Sequence, residues 1–455
     1  MSYSAIICKI KVSPIPNAEK IQVANCAGYT AIVGINHKDN ELGIFFPHDG
    51  QLSWPMVREN KLHRENGGYL EDNRRVRTIK LMGIKSEGIW LSLNSLSWTE
   101  TSKEISNKKL SKKLSKEVIN LNKKISELKE GDKLTSLNGN ILCNKYITKG
   151  TQEKSAKKVS VWTKVKKSVS SFFTSKLEFP KHFDTEKIQH ALSSQKIPYG
   201  TQYFITRKLH GTSQRSGFVK SNFIINKVLV SCGFKQKYIS VYGSRNLTLP
   251  HKSCPDLYRP IAHKLFEGKL NKDEIVYYEI VGFGENNSSI MQFHTISDMR
   301  LSKKFANPMY YSYGMKRCEN NEPKYQENFD VYVYRITQNG KNLSPTELQV
   351  RVKQLGLKIV PHVWTGIWDP ENIETFLKDC KKITEENGSR SSIDSSHIEE
   401  GICIRFYGKR NEPLLGGVDE ILDLTVKYKS WLFCDCEGIA KNSDTYVDAE
   451  EIEGE

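Results

Sequence analysis

The sequence predicts an α+β protein in two parts, a small β-barrel followed by a larger unit that mixes strands and helices. The first observation is that residues 1 to about 95 contain several short strand patterns separated by Gly, Pro and Asn turns. The second is that strand and helix patterns are mixed from residue 179 to about residue 440. The third is the length of 455 residues with 38% hydrophobic residues, which permits sizeable cores in about two or three domains.

The composition indicates a polyanionic partner. The formal net charge is +16 and the pI is about 9.2, which favours nucleic acid or an anionic surface. The ten cysteines are scattered and only Cys434 and Cys436 stand close together, so neither a zinc ribbon nor a disulfide framework is expected. The N-terminus lacks a signal-peptide pattern, and no apolar run reaches the length of a membrane span. A soluble, intracellular, cytoplasmic protein without a membrane partner is therefore expected.

The first domain is expected over residues 1–146. Its opening strand has apolar residues at every second position, as in a half-buried strand: Ile6, Cys8, Ile10 and Val12. Further strands are predicted at residues 21–23, 31–35, 42–46, 75–81 and 86–91. A Lys-rich stretch at residues 100–127 has one apolar stripe, which predicts a helical insertion with a solvated outer face, or an RNA contact.

The second domain is expected over residues 177–440, after a basic linker at residues 147–176. The linker pattern is typical of a connector that rests an apolar face on a domain, and also of a helix that binds nucleic acid. Residues 344–357 predict a helix, because Ser344 can cap it, Pro345 suits its first position and Glu347 completes a capping box. Residues 384–397 predict a flexible polar loop, and residues 441–455 an acidic tail.

The stretch Arg207-Lys208-Leu209-His210-Gly211-Thr212-Ser213 is the centre of the functional argument. A strand pattern at residues 202–206 leads straight into it. Strand ends hold a side chain firmly, and a tight Gly-Thr-Ser turn exposes backbone N–H groups to an anion. The pattern predicts a nucleophilic lysine that attacks a nucleotide phosphate. It is also typical of a surface lysine before a hairpin turn.

Further phosphate and metal ligands follow Lys208 in order along the chain. Each stands in a strand pattern or directly beside one: Arg245, Glu279, Tyr334, Glu400, Lys427 and Lys429. Lys427 and Lys429 share one face, because side chains along a strand repeat every two residues. Taken singly, a Glu within a strand is usually a rim residue and a Lys-x-Lys strand usually a solvated face. The ordered set is more specific than any member.

The ordered set resembles the covalent nucleotidyltransferase superfamily, which comprises DNA ligases, RNA ligases and mRNA capping enzymes. Within it, Lys208-Leu209-His210-Gly211-Thr212 resembles the RNA ligases that seal nicks, including phage RNA ligase 2. DNA ligases and capping enzymes more typically have Asp at the place of His210. The resemblance covers residues 179–433.

The first domain carries a resemblance of its own. Residues 16–21 and 80–88 resemble tRNA-binding-type OB domains, and still more the OB module that precedes the catalytic domain in one group of RNA ligases. OB barrels commonly bind nucleic-acid strands through a basic groove. Five basic residues surround one predicted strand pair and suit that role: Arg74, Arg75, Arg77, Lys80 and Lys85.

The resemblance implies a nucleotidyltransferase core, ATP-grasp-like, of antiparallel sheets with helices. It also implies an ATP-dependent RNA ligase that uses Mg²⁺ or Mn²⁺. Such ligases transfer AMP from ATP to a lysine and then to an RNA 5′-end, and the 3′-hydroxyl finally displaces AMP. The implied partner is RNA, either a nicked duplex or an RNA–DNA hybrid.

The resemblance also assigns roles to the residues around the nucleophile. Lys208 would form the lysyl-AMP bond, and it must be neutral to attack, so nearby cations and metal would lower its pKa. His210 and Gly211 would shape the loop beside the adenylated lysine. Lys427 and Lys429 would grip the ATP and AMP phosphates, because the transition state spreads negative charge over oxygens.

The remaining roles concern the nucleoside and the metal. Arg245 would hold phosphate or ribose oxygens, Glu279 would contact the ribose hydroxyl, and Tyr334 would stack on adenine. Glu400 would assist metal binding and the later steps. Arg207 departs from the family pattern, since relatives often have an acidic group before the nucleophile.

Two alternatives stay open. A capping-type guanylyltransferase or a DNA ligase would use the same core, but Leu209-His210 argues against both. Those enzymes also usually carry an OB domain after the Lys-x-Lys strand, and 26 residues follow Lys429 here. The other alternative is a non-catalytic RNA-binding protein with a degenerate core, against which the retained lysines, arginine and glutamates argue.

Overall fold

The computed structural model describes most of both predicted domains. The described residues are 3–82, 84–100, 124–147, 179–182, 185–194, 197–221, 238–245, 248–249, 256–296, 299–409 and 421–437. The predicted Lys-rich helix, the basic linker and the acidic tail lie almost wholly outside them. Among the described residues, no helix is both long enough and apolar enough to cross a membrane.

Short antiparallel strands build the first domain. They are β1 (Ala5–Lys9), β2 (Lys11–Pro14), β3 (Ile21–Cys26), β4 (Tyr29–Gly34), β5 (Leu42–Pro47), β6 (Gly50–Leu52), β7 (Ile79–Leu81), β8 (Ile84–Ser86), β9 (Gly88–Ser92), β10 (Lys133–Leu134), β11 (Ser136–Leu137), β12 (Asn140–Ile141) and β13 (Cys143–Lys145), with one helix, α1 (Trp54–Glu59). The largest sheet has the order β10-β1-β5-β9, and β2-β3-β4 form a second one. Two-stranded pairs complete the domain: β6 with β13, β7 with β8, and β11 with β12.

Strand β1 differs from its prediction, because both of its faces are buried. Ile6 and Cys8 pack in one hydrophobic cluster with Phe45. Ala5 and Ile7, on the opposite face, belong to another cluster. The strand therefore lies between two layers of apolar side chains, whereas the alternating pattern had indicated one solvated face.

Four of the five basic residues predicted to line a groove of the first domain are engaged in contacts within the protein. Arg75 is 2% exposed and its Nη2 lies 3.3 Å from Asp49 Oδ1. Arg74 donates to the Leu52 carbonyl at 2.9 Å, and Arg77 pairs with Glu71 at 2.8 Å. Lys85 pairs with Glu87 at 3.0 Å, and its ammonium lies 3.5 Å from the ring centre of Trp431 in the second domain. Nucleic-acid binding by this domain stays a prediction.

Two larger sheets and every described α-helix except α1 belong to the second domain. Its strands and helices are mixed along the chain. They are β14 (Glu186–Lys187), α2 (Ile188–Ser194), β15 (Gln202–Lys208), β16 (Thr212–Lys220), β17 (Tyr238–Ser244), β18 (Thr248–Leu249), α3 (Tyr258–Lys264), β19 (Glu274–Gly282), α4 (Met299–Ser302), β20 (Phe329–Gln338), β21 (Lys341–Asn342), α5 (Pro345–Leu355), β22 (Lys358–Ile359), β23 (His362–Ile367), α6 (Ile373–Glu385), β24 (Gly401–Lys409), β25 (Ile421–Lys429) and α7 (Trp431–Cys436).

The strands of the second domain form two large sheets. The first has the order β14-β25-β24-β15-β23 and is antiparallel except where β14 pairs with β25. The second has the order β18-β17-β16-β19-β20-β21, with β22 pairing in parallel with β20. Antiparallel sheets with helices agree with the predicted fold class.

Helices cover one face of each sheet. Ile205, Ile402 and Phe406 of the first sheet pack in one cluster with Phe376 of α6. In the second sheet, the strands β19 and β20 pack in another cluster with residues of α3 and α5. Both sheets therefore have one apolar, helix-covered face, and the opposite faces remain for the site.

Helix α5 confirms the predicted capping box. The Ser344 hydroxyl accepts from the Glu347 backbone N–H at 3.3 Å, and the Glu347 carboxylate accepts from the Ser344 N–H at 2.8 Å. Pro345 occupies the first helical position. The helix ends at Leu355, and the next residue, Gly356, has a φ of 71°, a conformation that glycine adopts without steric cost.

The predicted loop at residues 384–397 is wrong at its start, whereas residues 391–397 lie outside helices and strands as predicted. Helix α6 continues to Glu385, and a 3₁₀ turn follows it. The Asp394 carboxylate then accepts from the Ser312 hydroxyl at 2.5 Å and from the Gly314 N–H at 2.8 Å. The polar composition of this stretch reflects hydrogen bonds to neighbouring segments, which a count of polar residues does not reveal.

The first domain contacts β14 and α2 of the second. Lys133 Nζ lies 3.1 Å from Glu186 Oε2, and Lys187 Nζ lies 3.1 Å from His48 Nε2. His190 Nε2 lies 3.4 Å from the hydroxyl oxygen of Ser4. Since β14 pairs with β25, these contacts reach the strand that carries the predicted Lys-x-Lys pair.

We expect Ser344→Ala to destabilise α5 by about 1 kcal/mol, because it removes the acceptor for an N-terminal backbone N–H. Native-state hydrogen exchange of the α5 amides measures the change. Lys353→Ala, at an exposed position of the same helix, is the control and should change exchange by less than about 0.5 kcal/mol. Equal effects of the two substitutions would contradict a capping role for Ser344.

Candidate active site

A cavity of about 440 Å³ opens between the two large sheets. All nine residues singled out from the sequence line it: Lys208, His210, Gly211, Arg245, Glu279, Tyr334, Glu400, Lys427 and Lys429. One group lies on or directly beside strands β15, β24 and β25 of the first sheet, and another lies on or directly beside strands β17, β19 and β20 of the second sheet. The structure thus brings the whole predicted set to one place.

The turn after Lys208 carries the chain from one sheet to the other. Lys208 ends β15, and Thr212 begins β16. A Cβ at Gly211 would lie 2.4 Å from the carbonyl oxygen of Ile280, so only glycine allows the turn to approach β19 this closely. The backbone N–H of His210 donates to the Tyr313 hydroxyl at 2.6 Å. Both contacts hold Lys208 at the junction of the sheets.

Glu400 is the buried anion at the centre of the cavity. Its Oε1 lies 2.8 Å from Lys208 Nζ and 3.1 Å from Lys429 Nζ, and its Oε2 lies 3.6 Å from His210 Nδ1. The side chain is 1% exposed. Burial alone raises the pKa of this carboxyl, but the charges of Lys208 and Lys429 outweigh it and hold the pKa of Glu400 well below its usual range. Glu400 is therefore ionised.

Gly401 allows this arrangement by letting two strands approach each other. Its Cβ, if present, would lie 2.1 Å from the carbonyl oxygen of Tyr428 and 2.9 Å from Cα of Lys429. In the ladders, Gly401 stands opposite both Lys208 and Lys429. The residue before it, Glu400, consequently lies between the two lysines.

Lys427 is buried, which argues against an ordinary solvated face. Its exposed fraction is 3%. It stands opposite Cys403 in the ladder, and Cys403 stands opposite Thr206, and all of them line the cavity. Lys427 and Lys429 share the cavity-facing side of β25, as the two-residue period of a strand predicts. A lysine ammonium held away from bulk water suits a site that receives an anion.

The opposite wall carries the residues assigned to the nucleoside. The hydroxyls of Tyr334 and Ser213 lie 2.6 Å apart, and Glu279 stands opposite Ser213 in the ladder. Burial, and then the charge of Glu279, raise the pKa of the Tyr334 hydroxyl well above its usual range. Tyr334 is thus a neutral aromatic side chain held by a hydrogen bond. Its ring centre lies 5.6 Å from that of His182, another residue of the wall.

Arg215 positions Arg245 and was not anticipated from the sequence. Its side chain is 1% exposed, and its Nη1 donates to the carbonyls of Ser244 and, at 2.7 Å, of Arg245. Its guanidinium also lies over the ring of Phe179, 4.5 Å from the ring centre. The Arg215 guanidinium therefore holds the backbone at the end of β17, and the Arg245 side chain lines the cavity. Nothing in the sequence separates Arg215 from a surface arginine.

Arg207 has a structural partner that the sequence did not indicate. Its Nε lies 3.7 Å from Glu399 Oε2, and its Nη1 donates to the Ile383 carbonyl at 3.1 Å. Burial raises the pKa of Glu399, although a hydrogen bond from Ser392 and the charge of Arg207 oppose the rise. Two consecutive pairs, Arg207 with Glu399 and Lys208 with Glu400, therefore join the end of β15 to the residues just before β24.

The cavity is electropositive. Seven arginine and lysine residues line it: Arg207, Lys208, Arg245, Arg335, Arg405, Lys427 and Lys429. Three carboxylates line it: Glu279, Glu400 and Glu437. This excess of cations, enclosed between two sheets, suits a polyphosphate or a nucleic-acid end.

We expect Glu400→Gln to reduce stability at neutral pH and to have less effect in acid. The pKa of Glu400 in the folded chain lies below its ordinary 4.5, so its ionised form stabilises the fold above that pH. This contribution is lost as the pH falls below the ordinary value. The thermal midpoints of the two proteins should therefore differ near neutrality and converge as the solution becomes more acidic.

Glu322→Gln provides the control, because Glu322 is exposed. Its midpoint should follow that of the wild type across the whole pH range. A gap between Glu400→Gln and the wild type that stays constant with pH would contradict the low pKa of Glu400.

One family model matches part of this chain. Residues 201–417 match the family model described as RNA ligase, a range that includes Lys208, Glu279 and Glu400. Lys427 and Lys429 lie beyond its end, so their place in the site rests on the structure. No curated protein matched the sequence.

Solved structures of an RNA ligase from Naegleria gruberi have a similar fold. The ligase with PPi has 15% identity and a TM-score of 0.53, and the match covers 96% of this chain and 99% of that chain. A point mutant with ATP and Mn has 16% identity and a TM-score of 0.53, covering 97% of this chain and 100% of that chain. Another mutant, with AMP and Mn, has 15% identity and a TM-score of 0.51, covering 95% and 98%. At these identities the likeness shows the fold.

Proposed function

We propose that the chain is an ATP-dependent RNA ligase of the covalent nucleotidyltransferase superfamily, a proposal supported by the match of residues 201–417 to the RNA ligase family model. It would join a 3′-hydroxyl to a 5′-phosphate at nicks in duplex RNA or in an RNA–DNA hybrid. The observation that carries the proposal is the position of Lys208, whose Nζ lies 2.8 Å from the buried Glu400 in an electropositive cavity. A surface lysine before a hairpin turn would have no such surroundings.

ATP is the proposed nucleotide. The similar structures contain ATP, AMP or PPi, which belong to those proteins and support the choice here. Tyr334 offers an aromatic ring on the wall opposite Lys427 and Lys429, so a base and its phosphates would have separate places. Glu279, near Tyr334 in the sheet, would accept from a ribose hydroxyl.

In the proposed first step, Lys208 Nζ attacks the α-phosphorus of ATP. A nitrogen–phosphorus bond forms, the bond from the α-phosphorus to the bridging oxygen breaks, and pyrophosphate leaves. The lysine must lose a proton before it attacks. Lys427 and Lys429 would stabilise the charge that develops on the phosphate oxygens, because cations in an enclosed site are more effective than in water.

A divalent metal fits this cavity through its oxygen donors. Mg²⁺ in nucleotide sites is commonly held by one or two carboxylates together with substrate phosphates. Glu400, an ionised and buried carboxylate, is the proposed protein ligand, and Mn²⁺ has similar ligand preferences. The metal would neutralise phosphate charge. Within the described ranges, no cluster of three or more His, Cys, Asp or Glu forms a metal site without substrate.

The later steps transfer AMP and join the strands. An oxygen of the RNA 5′-phosphate attacks the phosphorus of lysyl-AMP, and the bond to Lys208 breaks. The 3′-hydroxyl then attacks the 5′-phosphorus, a phosphodiester bond forms and AMP leaves. Arg245 lies in the cavity with its backbone anchored by Arg215, so it is proposed to hold the 5′-phosphate during these steps.

The decisive experiment is incubation with labelled ATP and Mg²⁺. The wild type should form a lysine-linked adenylate, and Lys208→Ala should form none, because the nucleophile is absent. Lys208→Ala should still seal RNA that already carries a 5′-adenylate, since that step bypasses the lysine. Adenylation of Lys208→Ala would contradict the assignment of the nucleophile.

The same assay separates the alternatives. Labelling by GTP in place of ATP would indicate a capping-type guanylyltransferase, and labelling by neither would favour a non-catalytic RNA-binding protein. Sealing of nicked duplex RNA, a nicked hybrid, nicked DNA and single strands should then be compared. Preference for nicked DNA would favour a DNA ligase, and preference for single strands would overturn the proposed nick specificity.

We expect Tyr334→Ala to raise the KM for ATP strongly, because the ring that stacks on the base is lost. Tyr334→Phe should have a smaller effect. It keeps the ring but loses the hydrogen bond with Ser213, which contributes about 0.5–1.5 kcal/mol. Initial rates of adenylation over a range of ATP concentrations measure both.

Ser213→Ala is the matched variant for that hydrogen bond. Its effect should equal that of Tyr334→Phe, and the double variant should be no worse than either one, because both remove a single interaction. Equal damage from Tyr334→Phe and Tyr334→Ala would show that Tyr334 acts through its hydroxyl and not by stacking.

A further inference from the structure

An exposed cluster of two aromatic rings and an arginine lies in the segment that connects β19 to β20. Phe293 is 44% exposed, and its ring centre lies 5.3 Å from that of Tyr310. The guanidinium of Arg317 lies over the Tyr310 ring, 4.3 Å from its centre. None of these residues has a role in the proposed nucleotide chemistry.

The cluster is held in a defined geometry. The backbones of His294 and Met309 exchange two hydrogen bonds, each of 2.9 Å, so the neighbouring Phe293 and Tyr310 are brought side by side. The ring of Phe283, which is 3% exposed, lies 6.0 Å from that of Tyr310. The exposed Phe293 ring therefore rests on Tyr310, which in turn lies beside the buried Phe283.

The cluster borders the candidate active site. Met291 and Gln292 line the cavity, and Phe293 follows them directly. On the other side of the cluster, Tyr310 is followed by Tyr311, whose buried ring lies 4.4 Å from that of His210. The same segment thus presents its outer side to solvent and its inner side to the turn after Lys208.

Residues 299–317 of this segment carry an excess of positive charge, which favours a polyanion. Residues 299–317 include five basic residues and no Asp or Glu: Arg300, Lys303, Lys304, Lys316 and Arg317. The side chains of Lys303, Lys304 and Lys316 are exposed. An exposed ring in a basic segment is a combination by which proteins bind single nucleic-acid strands, because the ring stacks on a base and the cations contact phosphates.

We propose that Phe293 and Arg317 bind the RNA strand where it enters the cavity. A base stacks on the exposed side of Phe293, and Arg317 contacts a neighbouring phosphate. The inference rests on the proposed RNA ligase function and adds a substrate contact to it. A docked protein would be expected to cover a wider apolar surface than one exposed ring.

The test compares Phe293→Ala, Phe293→Trp and Arg317→Ala with Tyr199→Ala as the control. Tyr199 is 69% exposed and is not among the residues lining the cavity. Fluorescence anisotropy with labelled nicked RNA duplex measures affinity over a salt series. Formation of lysyl-AMP without RNA reports whether the nucleotide site is intact.

Phe293→Ala should weaken RNA binding about tenfold, within the range for loss of one stacked base, and Phe293→Trp should retain binding. Arg317→Ala should weaken RNA binding. It should also reduce the slope of log affinity against log salt concentration by about one, which corresponds to the loss of one phosphate contact. Tyr199→Ala should leave RNA affinity unchanged. All four variants should form lysyl-AMP as the wild type does.

Unchanged RNA affinity in Phe293→Ala would overturn the inference and would leave this surface to another partner. Parallel loss of RNA binding and lysyl-AMP formation would also overturn it, because the segment would then only support the turn after Lys208. Wild-type protein that forms no lysyl-AMP would instead overturn the proposed function. The two failures are therefore distinguishable.

Discussion

The ion pairs of Glu400 with Lys208 and Lys429 are the interaction on which the rest of the site depends. A buried carboxylate is costly unless cations compensate it, and removing one partner of a buried pair costs about 3–5 kcal/mol. Glu400 is 1% exposed, so the two lysines must stay close to it. Their attraction holds the ends of β15 and β25 beside the start of β24. The same contacts that stabilise these strand ends place the proposed nucleophile.

The two sheets meet at this point because of the short turn after Lys208. Strand β15 belongs to one sheet and β16 to the other, with Gly211 in the close approach to β19. Tyr313 supports the turn through the N–H of His210. The sheets face each other across the cavity, so the proposed phosphate-binding lysines lie on one sheet, and the proposed stacking ring and ribose contact lie on the other. The proposed division of roles follows from the way the strands are divided between the two sheets.

The first domain reaches the wall of the site through its contacts with β14. This strand has only two residues, and Lys187 stands opposite Lys427 in its ladder with β25. So short a strand has few backbone hydrogen bonds of its own. The ion pair of Lys133 with Glu186 and the contact of Lys187 with His48 therefore help to hold it. The first domain thus has a structural connection to the proposed phosphate-binding strand.

The sequence by itself determined the features that depend on neighbours along the chain. The capping box of α5, the lysine at the end of β15 and the shared face of Lys427 and Lys429 all follow from local spacing. The tertiary structure alone decided the position of Glu400 between two lysines, the partners of Arg207 and Arg215, and the cluster around Phe293. These depend on the register and packing of strands that are distant in the chain. Residue patterns within one strand do not specify that register, which is why the sequence predicted the members of the site but not their contacts.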